Sequence, residues 1–343
     1  MKNEIGFIAV GQAGSNIGTL FEKVGHTVLY INTSQEDLAT LTDAKHTYHI
    51  KGGEGCGKDR DKAKDLIIED FTEILGQIQR IIQEEYIFII FSSGGGTGSG
   101  SSPMLIDLLV QNTDKKVGAI TILPSQSESF KTAVNAYECF KELEEVKNIG
   151  STFILDNNKA DKFSINKDFV SLFTSFIEIP KYHSSKGNID ITEIKELLST
   201  RGATIISRML KNSSDTSRLI KSFKENIFAP METDRVIKYL GLSASTRIDI
   251  DAVIKEVGMC LDMFQGSNLE HTICILAGLT FPYSALQKIK EKVDNNRDII
   301  NKSLSATHET KLSDGINFLS NTKAKNKPEK ASINDIFSKY RRK

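Results

Sequence analysis

The chain has 343 residues, 39% of them hydrophobic and 26% charged, with 44 basic against 44 acidic side chains. That is ordinary globular composition with room for more than one core, and a balanced charge implies no global attraction to nucleic acid or membrane. No apolar run reaches transmembrane length, the N-terminus carries no signal-peptide core, and the four cysteines are scattered without metal or disulfide spacing, so reduced thiols in a cytoplasm are expected.

In chain order, Ile5–Val10 reads as an apolar strand followed by Gly11-Gln12-Ala13-Gly14 and a helix through Phe21. Thr27–Ile31 reads as a second strand, ending in Asn32-Thr33-Ser34. Tyr86–Phe91, Val117–Leu123 and Thr152–Leu155 are further short apolar runs separated by helical stretches, the pattern of a doubly wound parallel sheet. In such sheets ligands bind beyond the carboxyl ends of the strands, and each of these strands ends in polar or glycine-rich sequence. Phe169, Leu172, Phe173, Phe176 and Ile177 have helical spacing and predict a long amphipathic core helix. A second helix is expected from about Asp190 to Ser199. Beyond residue 200 the pattern suggests a smaller α+β domain, with Ser217–Phe228 helical and Ile248–Ile250, Cys260–Phe264 and Thr272–Ala277 as strands. Ser284 to about Ser303 predicts a last helix. The expected division is 1–164, 165–200, 201–282, 283–305 and a tail at 306–343. Residues 323–343 hold eight Lys/Arg against Glu329 and Asp335, so the tail reads as basic and largely disordered, with one apolar cluster at Ile333, Ile336, Phe337 and Tyr340.

The run Gly94-Gly95-Gly96-Thr97-Gly98-Ser99-Gly100, between a strand and a helical pattern from Pro103 to Val110, has the make-up of a phosphate cradle. Glycines let backbone N–H groups converge on an anion, and Thr97 and Ser99 add hydroxyls. It does not fit the dinucleotide spacing G-x-G-x-x-G. Gly52–Asp59 comes near a Walker A loop, but Asp59 stands where the magnesium-binding hydroxyl belongs, which leaves a supplementary glycine loop with Lys58 as a possible donor.

Gly94–Gly100 matches the G-G-G-T-G-[ST]-G signature of the tubulin/FtsZ superfamily, and three further segments in the same order resemble its members: Gly11–Gly18, Asn32–Ser34 and Gly187-Asn188-Ile189-Asp190-Ile191-Thr192-Glu193. Lys45–Ile50, Glu54–Lys58, Leu155–Lys159 and Ile333–Tyr340 resemble the plasmid- and phage-borne TubZ group more finely. The resemblance implies GTP/GDP binding with Mg2+ held mainly by phosphate and water, and no protein metal ligands. It implies nucleotide contacts from Gly11, Gln12, Ala13, Asn16, Asn32, Gly94, Gly95, Gly96, Thr97, Gly98 and Ser99, ribose contact from Glu128, and guanine recognition by Asn157 and Asn166. Asn166 could equally cap its helix. Asp190 and Glu193 would be the catalytic pair, delivered to the next protomer of a head-to-tail polymer, although Asp-x-x-Glu is also a helix-capping pattern. The implied function is segregation of a plasmid or phage genome by cytoplasmic filaments in a bacterium, without membrane contact. The basic tail would engage a DNA-bound adaptor or, second, DNA itself. The alternatives are a cell-division GTPase of the FtsZ kind and a GTP-binding scaffold with little turnover.

Overall fold

The computed structural model describes residues 1–232 and 237–306. The basic tail beyond 306, with its apolar cluster, lies outside the described residues. Met1–Asn296 form one unit, and the described residues of the second, 297–306, are helical.

The strands are β1 (Ile5–Val10), β2 (Val28–Asn32), β3 (Thr47–His49), β4 (Tyr86–Ser92), β5 (Lys116–Leu123), β6 (Ser151–Asp156), β7 (Gly202–Leu210), β8 (Ile237–Ala244), β9 (Cys260–Ser267) and β10 (His271–Leu279). They form one ten-stranded sheet in the order β3-β2-β1-β4-β5-β6-β7-β10-β8-β9. From β3 to β7 all pairings are parallel, β10 runs antiparallel to β7 and β8, and β9 is parallel to β8. The α/β parallel sheet expected from the apolar runs is therefore present, and β1, β2 and β6 are buried throughout, as strands covered on both faces must be.

The helices are α1 (Gly11–Lys23), α2 (Gln35–Ala39), α3 (Arg60–Ile81), α4 (Thr97–Asn112), α5 (Phe130–Glu145), α6 (Lys162–Ile177), α7 (Ile191–Ser199), α8 (Thr216–Ser222), α9 (Ile250–Val257) and α10 (Tyr283–Ala306). The amphipathic spacing around Phe169 becomes α6, which packs with α1 over the sheet through an aromatic cluster. Phe173 meets Phe7 at 5.8 Å, Phe21 at 5.4 Å, Phe88 at 5.6 Å and Phe153 at 5.5 Å between ring centroids, mostly edge to face. The phenylalanines of α6 are thus core. The helices α3, α4 and α5 pack on one another as a second layer.

Four local expectations are corrected. The helix after the glycine run begins at Thr97, six residues before Pro103, so four of the run's seven residues are helical. Pro103 removes the N–H that Ser99 O would accept within that helix, and the Arg60 guanidinium supplies it instead, at 3.0 Å from Nη2. The helix predicted through Phe228 stops at Ser222, because Asn226 turns the chain and residues 227–229 pair beside β6. Ile248–Ile250 is no strand: Asp249 caps α9 by accepting from Ala252 N at 3.1 Å. β3, β7 and β8 are strands that sequence patterning passes over.

Candidate functional site

A cleft of about 570 Å³ opens at the carboxyl ends of β1, β2, β4, β5 and β6. Gly11, Gln12, Ala13, Asn16, Asn32, Gly94, Gly95, Gly96, Thr97, Gly98, Glu128, Asn157 and Asn166 all line it. One predicted contact is turned away: Ser99 is fully buried and its hydroxyl donates to Gly95 O at 2.5 Å, bracing the loop from behind. Its side chain is committed to the helix because α4 has already begun at Thr97.

Among the helices whose first turns reach this cleft, α1 and α4 have ends unlike those of α2 and α6. Ser34, Asp59, Ser129, Asp161, Asp190, Asp215 and Asp249 cap α2, α3, α5, α6, α7, α8 and α9 with side-chain oxygens. Neither α1 nor α4 has a side-chain cap. Their N-terminal N–H groups and the positive ends of their dipoles are left for a ligand, the requirement for binding phosphate. The backbones come close here. Gly11 has φ +70°, and a Cβ on it would lie 3.5 Å from Gly98 N, while one on Gly96 would lie 2.9 Å from Lys58 N. These are positions where glycine lets three loops approach one another closely.

The remaining polar side chains divide into those free to meet a ligand and those that brace the cleft. Asn32 is a brace: Nδ2 donates to Asp37 at 3.1 Å and Oδ1 accepts from Ser34 N at 3.2 Å. Thr97 Oγ1 shares a hydrogen bond of 2.8 Å with Thr33 Oγ1. Glu128 pairs with Lys162 at 3.1 Å across the mouth. Asn166 is not a cap, because Asp161 accepts from Phe163 N and Ser164 N and starts α6 one turn earlier. Asn166 instead faces the cleft from within the helix, with Asn157 at the end of β6. An asparagine amide that both donates and accepts suits the edge of a purine.

The supplementary glycine loop also arrives at the cleft, with Glu54, Gly55, Cys56, Gly57 and Lys58 lining it. Asp59, the residue that disqualifies a Walker A loop, caps α3 by accepting from Asp61 N and Lys62 N, both at 3.1 Å. Glu36, Asp37 and Lys162 line the cleft too and carried no sequence signal beyond the capping pattern Ser34-x-x-Asp37.

Asp190 and Glu193 lie elsewhere. Asp190 Oδ1 accepts from Glu193 N at 2.9 Å and Glu193 Oε2 accepts from Asp190 N at 2.8 Å, a complete capping box. From Asn166 in the cleft, α6 carries the chain about 16 Å further to Ile177 at 1.5 Å per residue. The segment then returns through α7, whose Leu197 O accepts from the Ser151 hydroxyl at 2.7 Å, at the amino end of β6. The cleft is at the carboxyl end of that same strand, and neither carboxylate lines it.

Comparison with known proteins agrees with this geometry. The sequence profile of the Tubulin/FtsZ family GTPase domain matches residues 4–164. The chain is 34% identical over 359 residues to the tubulin-like protein TubZ of Clostridium botulinum C phage, a match covering 99% of this chain and 100% of that one. The crystal structure of Clostridium botulinum phage c-st TubZ superposes with a TM-score of 0.78 at 31% identity, over 87% of this chain and 99% of that one. A GTPγS-form protofilament of Bacillus thuringiensis serovar israelensis TubZ shares the fold, with a TM-score of 0.74 at 17% identity over 88% and 94% of the two chains. Nucleotide loops, uncapped helix ends and full-length similarity converge: the chain is a GTPase of the tubulin/FtsZ family, in its TubZ branch.

Proposed function

We propose that this protein polymerises head to tail on GTP, completes hydrolysis between neighbouring copies, and moves or positions a plasmid or phage genome. The observation that carries the proposal is that Asp190 and Glu193 do not line the cleft of their own chain, while the helix they open, α7, is held at the amino end of the sheet by Leu197 O on Ser151 and by Lys195 on Glu4 and Glu85. A carboxylate pair so placed can meet a nucleotide only on another copy. The capping box holds both groups at an exposed loop and leaves Asp190 Oδ2 and Glu193 Oε1 outside it.

In this reading the N–H groups at the starts of α1 and α4 hold the phosphates of GTP, and Asn157 and Asn166 read the guanine. The incoming Asp190 and Glu193 orient the water and take its proton as it attacks the terminal phosphorus. The bond to the β-phosphate oxygen breaks, and GDP and phosphate result. Magnesium would be held mainly by phosphate oxygens and water, where it neutralises phosphate charge. The TubZ of Bacillus thuringiensis that shares this fold forms a protofilament in a GTPγS form, which supports assembly of this chain. The basic segment 323–343 supplies the link to cargo, through a DNA-bound adaptor in preference to DNA directly. The GTP-binding part is residues 1–164, and the linking helix and catalytic loop are 165–200.

The test is the GTPase rate per molecule against protein concentration. It should rise steeply through the assembly range, and a flat profile refutes completion in trans. Asp190→Asn keeps a good helix cap and removes the charge. It should still bind GTP and assemble, but with turnover lowered by about 100-fold or more. A variant with normal turnover would leave Asp190 a cap only.

A further inference from the structure

The glycine loop and the supplementary loop are far apart in sequence, and among the described residues no main-chain hydrogen bond joins residues 54–58 to 94–97. Both are instead fastened to one face of α5, on which Ser129, Thr132 and Asn135 recur at a spacing that stacks side chains along a helix. Asn135 is 5% exposed. Its Nδ2 donates to Gly95 O at 2.7 Å and Lys58 O at 3.0 Å, with Gly94 O at 3.5 Å. Lys58 Nζ donates to Thr132 Oγ1 at 2.6 Å and to Ser129 Oγ at 3.2 Å, so Lys58 is tied to α5 at both its ends. Lys58 also has φ +61°, a left-handed conformation costly for a lysine that these bonds hold in place.

The consequence follows from peptide geometry. In a planar trans peptide the C=O and the next N–H point in opposite directions. Drawing Gly95 O toward α5 turns Gly96 N–H away from α5, at the start of the uncapped helix α4. We propose that Asn135 is a positioning residue for the nucleotide: its buried carboxamide holds the Gly95–Gly96 peptide in its phosphate-binding orientation and fastens the 54–58 loop beside it. Asn135 does not itself line the cleft. The inference rests on the cleft being the GTP site.

The test uses the full chain with Asn135→Leu, which keeps the branched shape and removes the donor, and Asn135→Ser, which keeps a short donor. Fluorescent mant-GDP and mant-GTPγS are titrated, nucleotide-free melting is recorded, and amide exchange at residues 94–97 is followed. The expected result is affinity for both probes lowered about tenfold or more in Asn135→Leu, and less in Asn135→Ser. Amide exchange at 94–97 should speed up while the melting temperature moves little. Variants that bind within about twofold of wild type overturn the inference, as does an affinity loss that only follows loss of folding. If Asn135→Leu does not fold, Asn135→Ser is judged by the same criteria. A wild-type chain that binds neither probe refutes the nucleotide site, and this inference with it.

Discussion

Gly14→Ala tests the packing that carries the first nucleotide loop. Gly14 lies in the first turn of α1, and a Cβ there would sit 2.2 Å from Ile90 O and 3.1 Å from Ile90 C. Ordinary contact begins at 3.4 Å, so the helix must move out by 3.4 − 2.2 = 1.2 Å, because Ile90 belongs to the buried strand β4 and cannot yield. Overpacking of this kind costs about 3 kcal/mol, and the helix propensity of alanine returns about 1, leaving about 2 kcal/mol of destabilisation. For a unit of this size that lowers the melting temperature by about 4 °C. The same shift displaces Gly11, Gln12 and Ala13, and a misplacement of about 1 Å at a binding site costs tenfold or more in affinity. Gly76→Ala is the matched control, since nothing lies within 4 Å of its Cβ position in α3. It should raise stability by about 0.5–1 kcal/mol. Thermal unfolding without nucleotide and titration with mant-GDP read both effects. If Gly14→Ala melts within about 1 °C of wild type and binds equally well, helix–strand contact at Gly14 does not set the loop.

His26 is buried between the Phe7 and Phe21 rings, with Nδ1 at 3.1 Å from Ile5 O and Nε2 without a hydrogen-bond partner among the described residues. Burial lowers its pKa below 6.5, so the unfolded chain takes up the proton first. Stability from this group is complete above pH 6.5 and is lost as pH falls, by up to about 1.4 kcal/mol per pH unit, and denaturant titrations of His26→Gln should show a shallower acid slope. Arg60→Met should cost about 3 kcal/mol in a urea melt, because it strands the Ser99 carbonyl and leaves Glu142 only Lys64; an unchanged midpoint would show that the Pro103 gap needs no donor. Burial pushes the Cys139 thiol up to about 12. Alkylation at pH 8 followed by mass spectrometry should therefore label the half-buried Cys260 and spare Cys139 and Cys274 until the chain unfolds.

What could be read locally was read from short segments whose physics is complete within a few residues. The glycine run, the Asp190–Glu193 capping box, the buried parallel strands and the α6 stripe are of this kind, because period, capping and conformational freedom are local properties. The contacts expected in the cleft followed instead from the family resemblance, and Glu36, Asp37 and Lys162, which also line it, carried no such signal. β7 and β8 were not legible, since their burial depends on pairing with β10 from a distant part of the chain. The Ser99 hydroxyl turns away from the cleft because α4 starts earlier than Pro103 suggests, and Arg60, 39 residues upstream, makes that start tolerable. The tertiary structure alone decided which helices go uncapped into a common cleft, that α5 fastens two remote loops, and that the helix opened by Asp190 and Glu193 is held at the amino ends of the strands whose carboxyl ends form the cleft. Those facts are relations between segments that the chain order does not contain. They exist only once burial of the parallel sheet has brought the strand ends together on one side and set α7 against the other.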